Sequence, residues 1–154
     1  GKTSEGPRMM FARPTLAAMG AALLLTGCVP EAEAPRPTGP AAAQAAQGAA
    51  DYARYCVACH GPTGRGDGPA AAGLSPRPTD LTQLARRNGG TFPRLRVMAR
   101  IDGYTMGKTD SPMPQFGEEI GRGPKVMFDA GDGLRVPTPA RLVALQGYVE
   151  TLQR

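Results

Sequence analysis

The sequence predicts a small all-α domain, and three observations carry that reading. Behind Pro40 an alanine-rich run reads as a helix from Ala41 to about Tyr55 without a break. Proline suits the first turn of a helix, where the amide it lacks has no intrahelical partner. At the other end Leu142, Leu145, Val149 and Leu152 recur at helical spacing behind Thr138, a good N-cap residue, and Pro139. Between these ends no segment alternates apolar and polar residues with the period of a strand.

Taken in order, residues 1–8 read as an extension ahead of the start. Residues 9–27 read as an export signal: Met9 or Met10, the positive Arg13, then an apolar stretch from Leu16 to Leu25. That stretch is short and rich in Ala and Gly, unlike a spanning helix. Its end, Leu25-Thr26-Gly27-Cys28, resembles a bacterial lipobox, which implies that Cys28 takes a diacylglycerol and tethers the chain on the periplasmic side of a membrane. Val29 stands where an inner-membrane retention Asp would be, which leans towards the outer membrane. Residues 28–43 then read as the lipidated Cys and a Pro/Ala-rich tether, too poor in packing side chains to order itself. About twelve such residues at roughly 3.1 Å each reach some 40 Å.

The domain proper is read as residues 44–154. Its composition is thin for a self-sufficient core: aromatic residues make up 5% of the chain, Trp is absent, and there are 21 Gly and 16 Pro. A core of that kind usually needs a staple such as a disulfide, a metal or a cofactor. Three Cys residues argue against a simple disulfide framework. The formal charge of +5 falls to +3 beyond Cys28, where 15 basic residues face 12 acidic ones. So small an excess, with no recognised motif beside it, excludes nucleic acid as a partner.

Chemistry concentrates at Cys56-Val57-Ala58-Cys59-His60. Cys-X-X-Cys-His is the attachment signature of c-type haem: each thiol adds across a vinyl group, and the adjacent His becomes the proximal iron ligand. A zinc site would need four ligands, and His60 is the one His of the chain. A thioredoxin-like Cys-X-X-Cys expects a βαβ setting, which the pattern lacks. The cofactor expected is therefore one covalent haem c.

From here the chain resembles the class I cytochromes c over about residues 44–154. Gly48, Tyr52 and Cys56 stand at steps of four, and Tyr148 lies three residues after Leu145. The resemblance implies that the first and last helices cross closely at Gly48 against these aromatics, with loops wrapping the haem. Gly68-Pro69 followed by Gly73-Leu74 resembles the family's proximal loop, which implies that the Pro69 carbonyl accepts the Nδ1–H of His60. Arg77 stands where some members hold a haem propionate, although a solvated loop residue is an equal reading. The Gly- and Pro-rich stretch from Gly61 to Pro78 is loop, followed by short helices over Asp80–Arg87 and Phe92–Ile101.

Met113, in Ser111-Pro112-Met113-Pro114-Gln115-Phe116, resembles the Met-Pro distal loop and is the expected sixth ligand, with Met106 as rival. Met98 reads as core, and Met127, beside Phe128, reads as packing. A thioether raises the potential relative to a second imidazole and leaves iron no open position. The function expected is one-electron transfer between redox protein partners, as a tethered shuttle or a haem subunit of a larger complex, and not catalysis. A peroxidase-like enzyme or a haem-based sensor with a labile distal site is the alternative. The arginines Arg86, Arg87, Arg94, Arg96 and Arg100 form either a solvated face or a positive rim that steers an acidic partner.

Overall fold

The computed structural model describes residues 38–104 and 111–154. Cys28, the signal, most of the tether and Met106 lie outside the described residues. Helix α1 runs Pro40–Tyr55 with proline in its first turn, one residue ahead of the expected start. A single residue, Cys56, separates it from the short helix α2, Val57–His60. After the loop come a 3₁₀ turn at Leu81–Gln83 and α3, Leu84–Arg87, where one helix was expected. Asp80 caps this segment, its carboxylate accepting the Thr82 amide at 2.9 Å and the Thr82 hydroxyl at 2.7 Å. Helix α4, Arg94–Asp102, ends on Gly103, whose left-handed φ of 97° closes the C-terminus. Helix α5 is one turn, Gly117–Ile120.

The all-α expectation needs one correction. Strands β1, Lys125–Asp129, and β2, Arg135–Pro139, form a two-stranded antiparallel sheet with Val126 opposite Thr138 and Phe128 opposite Val136. The chain reverses because the Asp129 carboxylate accepts the Gly131 and Gly133 amides at 2.7 and 3.1 Å. Among the described residues each strand has one partner, so Pro137 and Pro139 are tolerated at an open edge. The hairpin also moves the start of the last helix. Thr138 is a strand residue whose hydroxyl donates to the Val136 carbonyl at 3.1 Å, and α6 runs Ala140–Thr151 with Pro139 before it. Met127 is corrected too: it lies half exposed on the hairpin and packs no core.

The core lies between α1, α4 and α6, with Tyr52, Met98, Ile101, Ile120, Leu145 and Val149 buried. The terminal helices meet at Gly48, where a Cβ would collide with the Ala144 carbonyl. Absence of a side chain is thus what permits the crossing. The Tyr52 and Tyr148 rings pack 5.0 Å apart beside it. A second tie is the Asp51 carboxylate, buried and gripped by two nitrogens of the Arg141 guanidinium, Nε at 3.1 Å. No helix among the described residues is long and apolar enough to cross a membrane.

Candidate functional site

Cys56, between α1 and α2, and Cys59 and His60, within α2, fall on one turn. A helix this short leaves its carbonyls without intrahelical partners. The following loop supplies them from its own backbone. The Ala70, Gly68 and Gly66 amides donate to the carbonyls of Ala58, Cys59 and His60 at 2.8, 3.1 and 2.9 Å. The Tyr52 hydroxyl donates to the Gly61 carbonyl at 2.8 Å. Burial pushes the Tyr52 phenol up, with the Cys56 sulfur adding to it, so it remains a donor. Gly68 must be glycine for this wrap, because a Cβ there would strike the Ala58 carbonyl.

His60 is buried, and its Nδ1 lies 3.0 Å from the Thr79 carbonyl. A carbonyl only accepts, so Nδ1 carries the proton and Nε2 keeps its lone pair. Burial lowers the His60 pKa, and the Thr79 carbonyl acts in the opposite direction. The ring is therefore neutral near pH 7, the form a metal binds. The expected acceptor was Pro69, and this is corrected. The amides on either side of Pro69 are committed to the α2 carbonyls, Pro69 is exposed, and Thr79 takes the role.

Cys56 and Cys59 are free thiols. Burial pushes the Cys56 thiol up to about 12, with Asp51 and then Cys59 adding to the shift. Redox-active Cys-X-X-Cys pairs need the opposite displacement, so this environment does not suit dithiol exchange. Among the described residues no group of three or more His, Cys, Asp or Glu side chains could hold a metal ion.

A cavity of about 630 Å³ opens beside α2. Cys56, Cys59, His60 and Met113 all line it, as does Arg77. Leu74, Leu81, Val97 and Ile101 give it an apolar wall. Met113 reaches it from the loop Ser111–Phe116, which is fastened at its end: the Phe116 amide donates to the Ile101 carbonyl at 2.9 Å. The Phe116 ring packs on Tyr55 with centroids 5.3 Å apart. Guanidiniums of Arg54 and Arg141 lie 5.3 and 5.9 Å from the Tyr55 centroid. Tyr55 thus connects the residue before Cys56 to the Met113 loop. Sequence reasoning missed both Tyr55 and Thr79. The Asp80-X-Thr82 capping pattern was a signal for where the Thr79 segment stops, but nothing in the sequence marks a main-chain acceptor.

A helical frame that brings a Cys-X-X-Cys-His turn and a methionine loop to one apolar cavity belongs to the cytochrome class. More narrowly, the family model described as cytochrome C oxidase, cbb3-type, subunit III matches residues 43–123, more than half of the 154 residues, and the chain belongs to that family. The match takes in α2 and Met113 and ends before the hairpin and α6. No curated protein and no solved structure gives a match.

Proposed function

We propose that this chain moves electrons one at a time through a single haem c, attached by Cys56 and Cys59 and held axially by His60 and Met113. One observation carries the reading: those four side chains line one cavity, although two helices, α3 and α4, separate α2 from the Met113 loop. The residues fit the group. The wall is apolar and the volume lies within the roughly 300–1,000 Å³ of cofactor sites. Two thiols on one helical turn match the two vinyl groups of one porphyrin edge. Bound there, haem supplies reversible exchange of one electron between ferric and ferrous iron.

The chain's own residues set the conditions of that exchange. Thr79 fixes the His60 tautomer and makes the imidazole a better donor. The soft sulfur of Met113 would favour the ferrous state and, as a ligand, would leave no position open to a substrate. Arg77 offers a guanidinium to a propionate. Membership in an oxidase subunit family supports a place in or beside a membrane electron-transfer complex. Lipidation of Cys28 and a tether ahead of Pro40 would hold the domain at the periplasmic face of that membrane.

The test is the optical spectrum of oxidised protein from a host able to attach haem. A weak near-infrared sulfur-to-iron band is expected, absent in Met113→Ala, with a mass increased by one macrocycle. Colourless protein would refute the reading. A coloured protein whose band persists in Met113→Ala would refute the ligand assignment, and one with no band at all would favour an open distal site.

A further inference from the structure

The hairpin leaves its strands with unequal outer edges. In an antiparallel pair, directly opposed residues alternate between those that exchange backbone hydrogen bonds and those whose amides and carbonyls point outwards. The Ala140 amide donates to the Pro124 carbonyl at 3.0 Å, one step beyond the pairing of Lys125 with Pro139. Alternation from there makes Val126–Thr138 and Phe128–Val136 the bonded pairs. Lys125, Met127 and Asp129 therefore turn their backbone groups away from β2, and Arg135, Pro137 and Pro139 turn theirs away from β1. Neither proline carries an amide hydrogen, so the outer edge of β2 is poor in donors and closed to a further strand.

The edge of β1 keeps its donors. Its outward Met127 carbonyl accepts the Nη2 of the exposed Arg135 at 3.4 Å, a long contact that leaves the oxygen a second lone pair. Met127 is 51% exposed and Val126 40% exposed. The order Lys125-Val126-Met127-Phe128-Asp129 is complementary to its own reverse. Laid antiparallel with Met127 opposite Met127, a second β1 brings the Lys125 of each copy against the Asp129 of the other, and Val126 against Phe128. Lys125, Met127 and Asp129, whose backbone groups point outwards, then meet as bonded pairs, each exchanging two hydrogen bonds. Laid parallel in register, the same strands set Lys on Lys and Asp on Asp. An edge lysine by itself repels a second copy; Asp129 turns that guard into an ion pair.

We propose that the outer edge of β1 is an interface for a second copy of this chain, which adds antiparallel about Met127 and joins the two hairpins into one sheet ordered β2–β1–β1–β2. A second copy is favoured over a different protein because the charges and the outward backbone groups of β1 match those of β1 itself. Such a contact is isologous and closes at the dimer, since the proline-bearing β2 edges become the outer rims. A two-stranded hairpin is marginal on its own, and the added strands give Val126 and Met127 cross-strand neighbours. The association does not depend on what the cavity holds.

The experiment uses the whole chain in mild detergent, read by sedimentation over a range of concentrations and by cross-linking. Wild type should show a monomer–dimer equilibrium that weakens as salt rises. Lys125→Asp exchanges attraction for repulsion at both ends of the seam and should raise the dissociation constant about tenfold. Met127→Pro removes an outward amide hydrogen without touching a bond to β2 and should raise it at least as much. In Met127→Cys, copper(II) phenanthroline should oxidise the two facing thiols to an interchain disulfide, taking two electrons and releasing two protons, with wild type as background. Leu134→Cys, at an exposed position off the seam, should give about a tenth of that yield or less. A chain that stays monomeric and gives no cross-linked dimer above background overturns the proposal. So does a dimer that Lys125→Asp and Met127→Pro leave unchanged, or one linked equally well through position 134. Binding to phosphatidylglycerol vesicles that Met127→Pro abolishes, with sedimentation unaltered, overturns it in favour of a membrane contact. Should Met127→Pro fail to fold, Lys125→Asp, a change at an exposed side chain, decides.

Discussion

Replacing Tyr55 with leucine should loosen Met113 without touching it. Tyr55 packs on Phe116, the last residue of the methionine loop, at 5.3 Å between centroids. An aromatic pair of this kind stabilises by about 0.5–1.5 kcal/mol beyond its buried area. If that contact exists only while the loop is seated, its loss weakens the sulfur-bound state by the same amount. On the proposed ligation, added imidazole would have to displace Met113 to reach iron, so its apparent affinity should rise by roughly two- to twelvefold. The assay is an imidazole titration of oxidised holoprotein, following loss of the near-infrared band. Tyr55→Phe keeps the ring and should change affinity by less than about twofold. Denaturant unfolding of each variant confirms that the fold is intact. Unchanged imidazole affinity in Tyr55→Leu would refute the reasoning. An equal effect in Tyr55→Phe would move the cause from the ring to the hydroxyl.

Two further outcomes follow from the frame. Asp51 is 3% exposed, and the Arg141 side chain is 29% exposed, so the two halves of that ion pair are not equivalent. Asp51→Ala should cost about 2–3 kcal/mol, because the guanidinium left behind reaches water, whereas Arg141→Ala should cost about 3–5 kcal/mol by stranding a buried carboxylate; urea unfolding that reverses this order would refute it. Asp80→Ala should lose about 1 kcal/mol at pH 7 through its cap. The Thr82 hydroxyl, chiefly, holds the Asp80 pKa below its ordinary 3.8. Its contribution is therefore complete above that value and lost as pH falls through the lower folded one. The stability difference between wild type and variant should shrink below about pH 4, and a difference that persists at pH 2 would contradict this.

The sequence made some of this architecture legible. Pro40 and the alanine run placed α1 to within a residue, and the spacing of Leu142, Leu145 and Val149 found the buried face of α6. The cysteines and histidine of five consecutive positions pointed to a stretch of chain that lines the cavity. The hairpin escaped because its strands are five residues each and β2 carries two prolines, which sequence patterns count against a strand. Thr138 and Pro139 also suggested a helix start one residue early. Asp51 and Arg141 are far apart in the chain, and no local pattern pairs them. Thr79 was invisible for a different reason: its contribution is an oxygen that every residue has.

That anonymity has an evolutionary consequence. The proton on His60 Nδ1 is held by a peptide group, so no single side-chain exchange at position 79 deletes its acceptor. Variation there is nearly silent for imidazole orientation, and drift can act on the surface of this segment while the ligand stays aligned. On the proposed haem reading, tuning of the iron from this side would have to come instead from altering the course of the chain between Leu74 and Asp80, through insertions and deletions more than substitutions.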